Sequence, residues 1–93
     1  EQKLPKEKVF AQGGNWAVQL GTFAYPEHAS TLLKKLKAQG LPAYTRKTNR
    51  SGETLTVVFV GPMIRKEDAS KLISTLESRY QLRGIIVRYG IVR

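Results

Sequence analysis

Apolar residues recur at two different intervals along the chain, and each change of interval marks an element. Trp16, Val18 and Leu20 alternate with Ala17 and Gln19, the period of a strand whose two faces meet different surroundings. Residues 21–25 read as a turn, and Pro26 suits a first helical position because its missing N–H has no partner there anyway. Ala29, Leu32, Leu33 and Leu36 then follow at helical spacing, with Lys34, Lys35 and Lys37 on the wet side and Gly40 as the stop. Residues 41–47 predict a second strand and 49–52 a hairpin loop, where Gly52 is free to take positive φ. Residues 55–60 predict a third strand rich in β-branched side chains, ended by Gly61-Pro62. Ala69, Leu72, Ile73 and Leu76 give a second amphipathic helix over about 66–79. Residues 85–89 predict a fourth strand that Gly90 ends or bends.

A shift of 40 residues aligns the two halves. Val18, Leu20 and Gly21 fall on Val58, Val60 and Gly61, and Glu27, Ala29, Ser30, Leu32, Leu33 and Leu36 fall on Glu67, Ala69, Ser70, Leu72, Ile73 and Leu76. A strand–turn–helix unit is therefore used twice, each copy followed by a further strand. The fold expected from the order β-α-β-β-α-β is α+β and RNP- or ferredoxin-like: a four-stranded antiparallel sheet with two helices on one face. Matching parity turns Val18, Leu20, Val58 and Val60 toward the helices. Gln19, Tyr44, Val57, Phe59 and Ile85 then share the other face, with Arg46 and Val87 in the same phase. An apolar and aromatic surface left without cover marks a binding site.

Composition narrows the chemistry. Ninety-three residues without a cysteine make one domain, with no disulfide framework, thiolate metal site or cysteine nucleophile. His28 is the one histidine, which argues against a histidine-based zinc site or a catalytic triad, and the start of a helix is where a solvated histidine sits. The acids are Glu1, Glu7, Glu27, Glu53, Glu67, Asp68 and Glu77; three of them open helices, where carboxylates favour the dipole, and no pair is marked out for glycan cleavage. No catalytic residue, metal or cofactor is expected. The formal charge of +9 calls for an anionic partner: nucleic acid, anionic lipid or acidic glycan. Residues 1–14 read as a linker with a short apolar touch at Val9-Phe10, which could cover Phe59, and the domain is expected over 15–93.

Two motifs carry a family resemblance. Trp16-Ala17-Val18-Gln19-Leu20-Gly21-Thr22-Phe23 resembles the opening of the sporulation-related repeat, or SPOR domain. Val58-Phe59-Val60-Gly61-Pro62 followed by Glu67-x-Ala69 is similar to its second signature. Met63 stands where phenylalanine is more usual and fills the same apolar space, while Tyr25 replaces a helix-capping residue. The resemblance implies a peptidoglycan-binding module that favours glycan strands stripped of stem peptides at the division septum. It also implies a periplasmic domain whose parent is anchored in the inner membrane. Gln19 and Thr22 match glycan-contacting positions, and Ile85 lies near a third that is often aromatic.

The residues suit that chemistry. Sugar C–H faces pack on Tyr44 and Phe59 beside Val57, and Gln19 both donates to and accepts from acetamido and hydroxyl groups. A bare strand exposes lactyl carboxylates, for which Arg46, Lys47, Arg50, Arg65 and Arg88 are candidate rim contacts. The expected site is thus Gln19, Thr22, Tyr44, Arg46, Val57, Phe59 and Ile85, on a domain expected to be monomeric. Two other readings use the same face. RNA-recognition modules share the element order, but residues 55–60 lack their aromatic signature, so no nucleic-acid partner is expected. A sheet that docks a division protein is compatible with glycan binding.

Overall fold

The computed structural model describes residues 13–89. The expected linker, its Val9-Phe10 contact and Gly90 lie outside them, apart from Gly13 and Gly14. The elements are β1 (Trp16–Phe23), α1 (Pro26–Ala38), β2 (Ala43–Arg50), β3 (Glu53–Met63), α2 (Lys66–Tyr80) and β4 (Ile85–Arg88). The strands form one sheet in the order β2-β3-β1-β4, and every neighbouring pair is antiparallel. This is the expected α+β arrangement.

The core lies between the sheet and the two helices. Val18, Leu20, Ala43, Val58 and Val60 from the strands meet Ala29 and Leu36 of α1 and Ala69, Leu72 and Leu76 of α2. Leu32, Leu33 and Ile73 flank it partly buried, so each stripe has a buried centre and half-open edges. Met63 is fully buried in this cluster, in the apolar place expected for it. Tyr25 occupies the N-cap of α1 without a side-chain cap; its carbonyl accepts from the His28 N–H at 3.0 Å. At the other end Gly40 takes φ 83°, and its N–H donates to Lys37 O at 2.9 Å.

Three boundaries differ from the sequence reading. The hairpin is longer: β2 and β3 pair out to Arg50 and Glu53 around Ser51 and Gly52. Both turn residues have positive φ, 54° and 82°, which is the twist that a two-residue hairpin needs. β3 does not end at Gly61-Pro62 but runs on to Met63 through a register shift against β1, with a cis peptide between Gly61 and Pro62. Gly61 has φ 149°, and a Cβ there would lie 3.0 Å from Ala17 Cβ. β1 does not turn at Gly21; it continues to Phe23 through a bulge between Gln19 and Gly21. Packing also begins earlier than Trp16. Gly14 is buried, and a Cβ on it would lie 2.5 Å from the Met63 backbone.

Candidate functional site

The sheet face away from the helices is built from strand register. Tyr44 of β2 lies opposite Phe59 of β3, Phe59 opposite Gln19 of β1, and Gln19 opposite Ile85 of β4. These four residues make one row across the whole sheet. Arg46, Val57 and Thr22 make the next row across three strands. The seven residues named from the sequence therefore lie side by side.

Thr22 reaches this face by an unforeseen route. Strict alternation would put it with Val18 and Leu20, over the core. The bulge sets Leu20 and Gly21 together against one partner, so the phase of β1 reverses after Leu20. Phe23 consequently packs against the core, and Thr22 pairs with Val57 on the open side. Thr22 is a strand residue, not a turn residue as its position after Gly21 suggested.

Depth varies along both rows. Ile85 is 58% exposed, Thr22 and Arg46 are exposed, and Gln19, Tyr44 and Phe59 are half-buried. Val57 retains only 7% of its surface and is floor, flanked by Arg46 and Thr22. Tyr44 and Phe59 stack with centroids 5.2 Å apart and planes at 15°.

Tyr89 completes the aromatic group, and the sequence reading passed over it. Its N–H donates to Asn15 O at 2.8 Å, which carries the β1–β4 pairing one step past Trp16 and Arg88. Its ring meets Tyr44 edge-on, 5.8 Å away at 89°. Three strand spacings of about 4.8 Å separate β2 from β4, so both tyrosines lean inward to meet above the middle of the sheet. Ala17, fully buried, belongs to the same face. The pair walls one side of the rows. The signal was available in the sequence: Tyr89 shares the parity of Ile85 and Val87. Burial, then the neighbouring Tyr89 phenol, push the Tyr44 hydroxyl above its ordinary value of 10.0, with Arg46 partly opposing them. Tyr44 is thus a neutral phenol at physiological pH, able to donate and accept.

The expected cationic rim is mostly elsewhere. Arg46 and Arg50 have the right phase, but Glu53 lies opposite Arg50. Lys47 pairs with Thr56 and has the phase of the helix side. Arg88 is opposite Trp16 and holds its guanidinium 5.0 Å above that indole, with Lys66 Nζ 5.5 Å from the same ring. Arg65 stands at the N-cap of α2, 3.9 Å from Glu67. Alternation of β2 and β4 thus removes Lys47 and Arg88 from the rim, and chain position removes Arg65. Among the described residues no group of three or more His, Asp or Glu side chains is placed to hold a metal ion.

The family model of the SPOR domain matches residues 12–88. The chain belongs to the SPOR family. SPOR domains are peptidoglycan-binding modules of cell-division proteins, not enzymes, and they occur in periplasmic parts of such proteins. Among solved structures, the RlpA SPOR domain from Pseudomonas aeruginosa superposes with a TM-score of 0.72 at 25% identity, over 81% of this chain and 99% of that one. A structure of the SPOR protein DedD superposes with a TM-score of 0.60 at 24% identity, over 96% of this chain. This SPOR domain spans about half of that chain, 48%. At that identity the DedD comparison speaks for the fold. No curated protein matches the sequence significantly.

Proposed function

We propose that this SPOR domain binds peptidoglycan glycan strands that lack stem peptides, through the sheet face opposite the helices, and so directs its parent protein to the division septum. The observation that carries the reading is the row Tyr44, Phe59, Gln19 and Ile85, continuous across all four strands. Its aromatic members offer apolar ring faces to sugar C–H groups, and Gln19 offers an amide to their acetamido substituents. Thr22 and Arg46 lie beside the row as an exposed hydroxyl and an exposed guanidinium. Arg46 is suited to a lactyl carboxylate freed when the peptide is gone. The domain acts as a monomer without cofactor, in the periplasm, on a parent held in the inner membrane. Docking of a division protein on the same sheet is compatible with that binding.

The test compares retention on intact sacculi with retention on sacculi treated with an amidase, which strips stem peptides and leaves bare strands. Greater retention on treated sacculi, with weak competition by soluble stem peptide, is expected. Equal retention on both, or stronger binding to RNA at matched salt, would overturn the proposal.

A further inference from the structure

The glycan face leaves most of the positive charge unexplained. No lysine among residues 13–89 lies on it, and its two arginines have Glu53 beside one of them. The lysines of α2 are interleaved with Glu67, Asp68 and Glu77. The stretch around α1 is different: no acidic residue occurs between Glu27 and Glu53. Lys34, Lys35 and Lys37 are exposed on the second half of α1. Lys47, also exposed, has the helix-side phase of β2, the edge strand on which α1 packs. Lys35 and Lys37 lie in the last turn, where they favour the helix dipole, and Lys35 turns toward α2 with its Nζ 5.9 Å from the Tyr80 ring, but that accounts for neither Lys34 nor Lys47.

We propose that this acid-free surface, carrying Lys34 and Lys37 of α1 and Lys47 of β2, adsorbs the domain to a bilayer containing anionic lipid, with the opposite face of the sheet turned away from the membrane. Charge complementarity selects the occupant. Lysine is a compact point charge on a flexible stem. It suits a laterally mobile layer of phosphate headgroups, whereas arginine suits a fixed bidentate partner. The exposed large apolar residues Tyr25, Ile64 and Ile85 all lie outside this patch, so binding is electrostatic adsorption without insertion. Among the described residues no helix is long and apolar enough to cross a membrane. The helix layer and the glycan face are on opposite sides of the sheet, so one domain can hold both surfaces at once. This inference does not depend on the glycan reading.

Sedimentation with sucrose-loaded vesicles tests it. Vesicles of phosphatidylglycerol and phosphatidylcholine should bind the domain at low salt and release it at high salt, while pure phosphatidylcholine should not bind it. Each lysine near the surface contributes about fivefold to partitioning, so Lys34→Glu with Lys37→Glu should lose at least about 25-fold. The charge-matched pair Arg46→Glu with Arg50→Glu should lose no more than about threefold. The lysine variant should keep its retention on bare glycan, which separates this surface from the sheet face. Equal vesicle loss for both pairs would reduce the effect to net charge and overturn the patch. Binding to polyglutamate without binding to anionic vesicles would assign the surface to an acidic protein and overturn the lipid.

Discussion

Replacing Phe59 with alanine separates the two layers of this domain. Phe59 lies at the centre of the four-strand row, between Tyr44 and Gln19, and is half-buried. A sugar laid on its ring face removes about 50 Å² of apolar surface from water, worth ~1.3 kcal/mol at ~25 cal/mol per Å² and hence about tenfold in affinity. Loss of the 5.2 Å stack also frees the Tyr44 ring to wander, so tenfold is a lower bound. Full burial of a phenylalanine is worth about 3–5 kcal/mol; half-burial puts the stability cost near ~2 kcal/mol. Urea unfolding followed by Trp16 fluorescence measures that cost without interference, because Trp16 packs against the core side under Lys66 and Arg88. Calorimetric titration of folded protein with peptide-free glycan fragments measures the affinity. Leu36→Ala is the counterpart: a fully buried α1 residue whose loss should cost about 2–5 kcal/mol of stability and leave the affinity of the folded fraction unchanged. The reasoning fails if Phe59→Ala folds as calculated and binds glycan as tightly as the parent.

Five further substitutions, at four positions, probe the same geometry. Gln19→Lys should weaken retention on bare strands at least fivefold in sedimentation with amidase-treated sacculi, with little change in the urea midpoint, because the position is half-open on the sheet face proposed to bind glycan. Tyr89→Ala should lower glycan affinity about threefold to tenfold by removing the wall against Tyr44, whereas Tyr89→Phe, which keeps the ring, should bind nearly as the parent does. The raised Tyr44 pKa gives the folded state more bound proton than the unfolded chain above pH 10.0, so its contribution to stability is complete below that pH and fades as pH rises through the folded value. Tyr44→Phe should therefore flatten part of the alkaline loss in pH-dependent urea melts, and unchanged curves would contradict this. Gly61→Ala should cost about 1–3 kcal/mol in the same melts, since φ 149° is poorly open to an L-residue and its Cβ would press on Ala17.

Element order, both helical stripes and the parity of the core were legible because each rests on local periodicity reinforced by the internal repeat. Val18 and Val58, or Leu36 and Leu76, occupy equivalent places in the two halves, and all four are fully buried. Charge was less legible. A basic count implies an anionic partner but assigns no side chain to a face; Arg88 went to the core side only because β4 pairs it with Trp16. Tyr89 was missed for a related reason. Its parity was plain, but its reach toward β2 depends on strand order, which brings β4 beside β1 and β3 beside β2.

The bulge in β1 shows where a period-two reading of a strand breaks down. Gln19 and Thr22 are three residues apart, an odd spacing that places two strand residues on opposite faces. They share a face because one extra residue is taken up between Gln19 and Thr22, and Gly21 stands at that point. An isolated glycine inside a strand pattern marks a possible bulge as well as a possible turn. The two choices differ in their consequence for Phe23. A turn leaves it in a connection; a bulge sends it to the core and carries β1 three residues further. The apolar identity of Phe23 was the available evidence for the bulge, since a connecting turn has little use for a large ring. Two apolar side chains separated by an odd interval around a glycine, here Leu20 and Phe23, both packing on one core, are the pattern that brings Thr22 out beside Gln19.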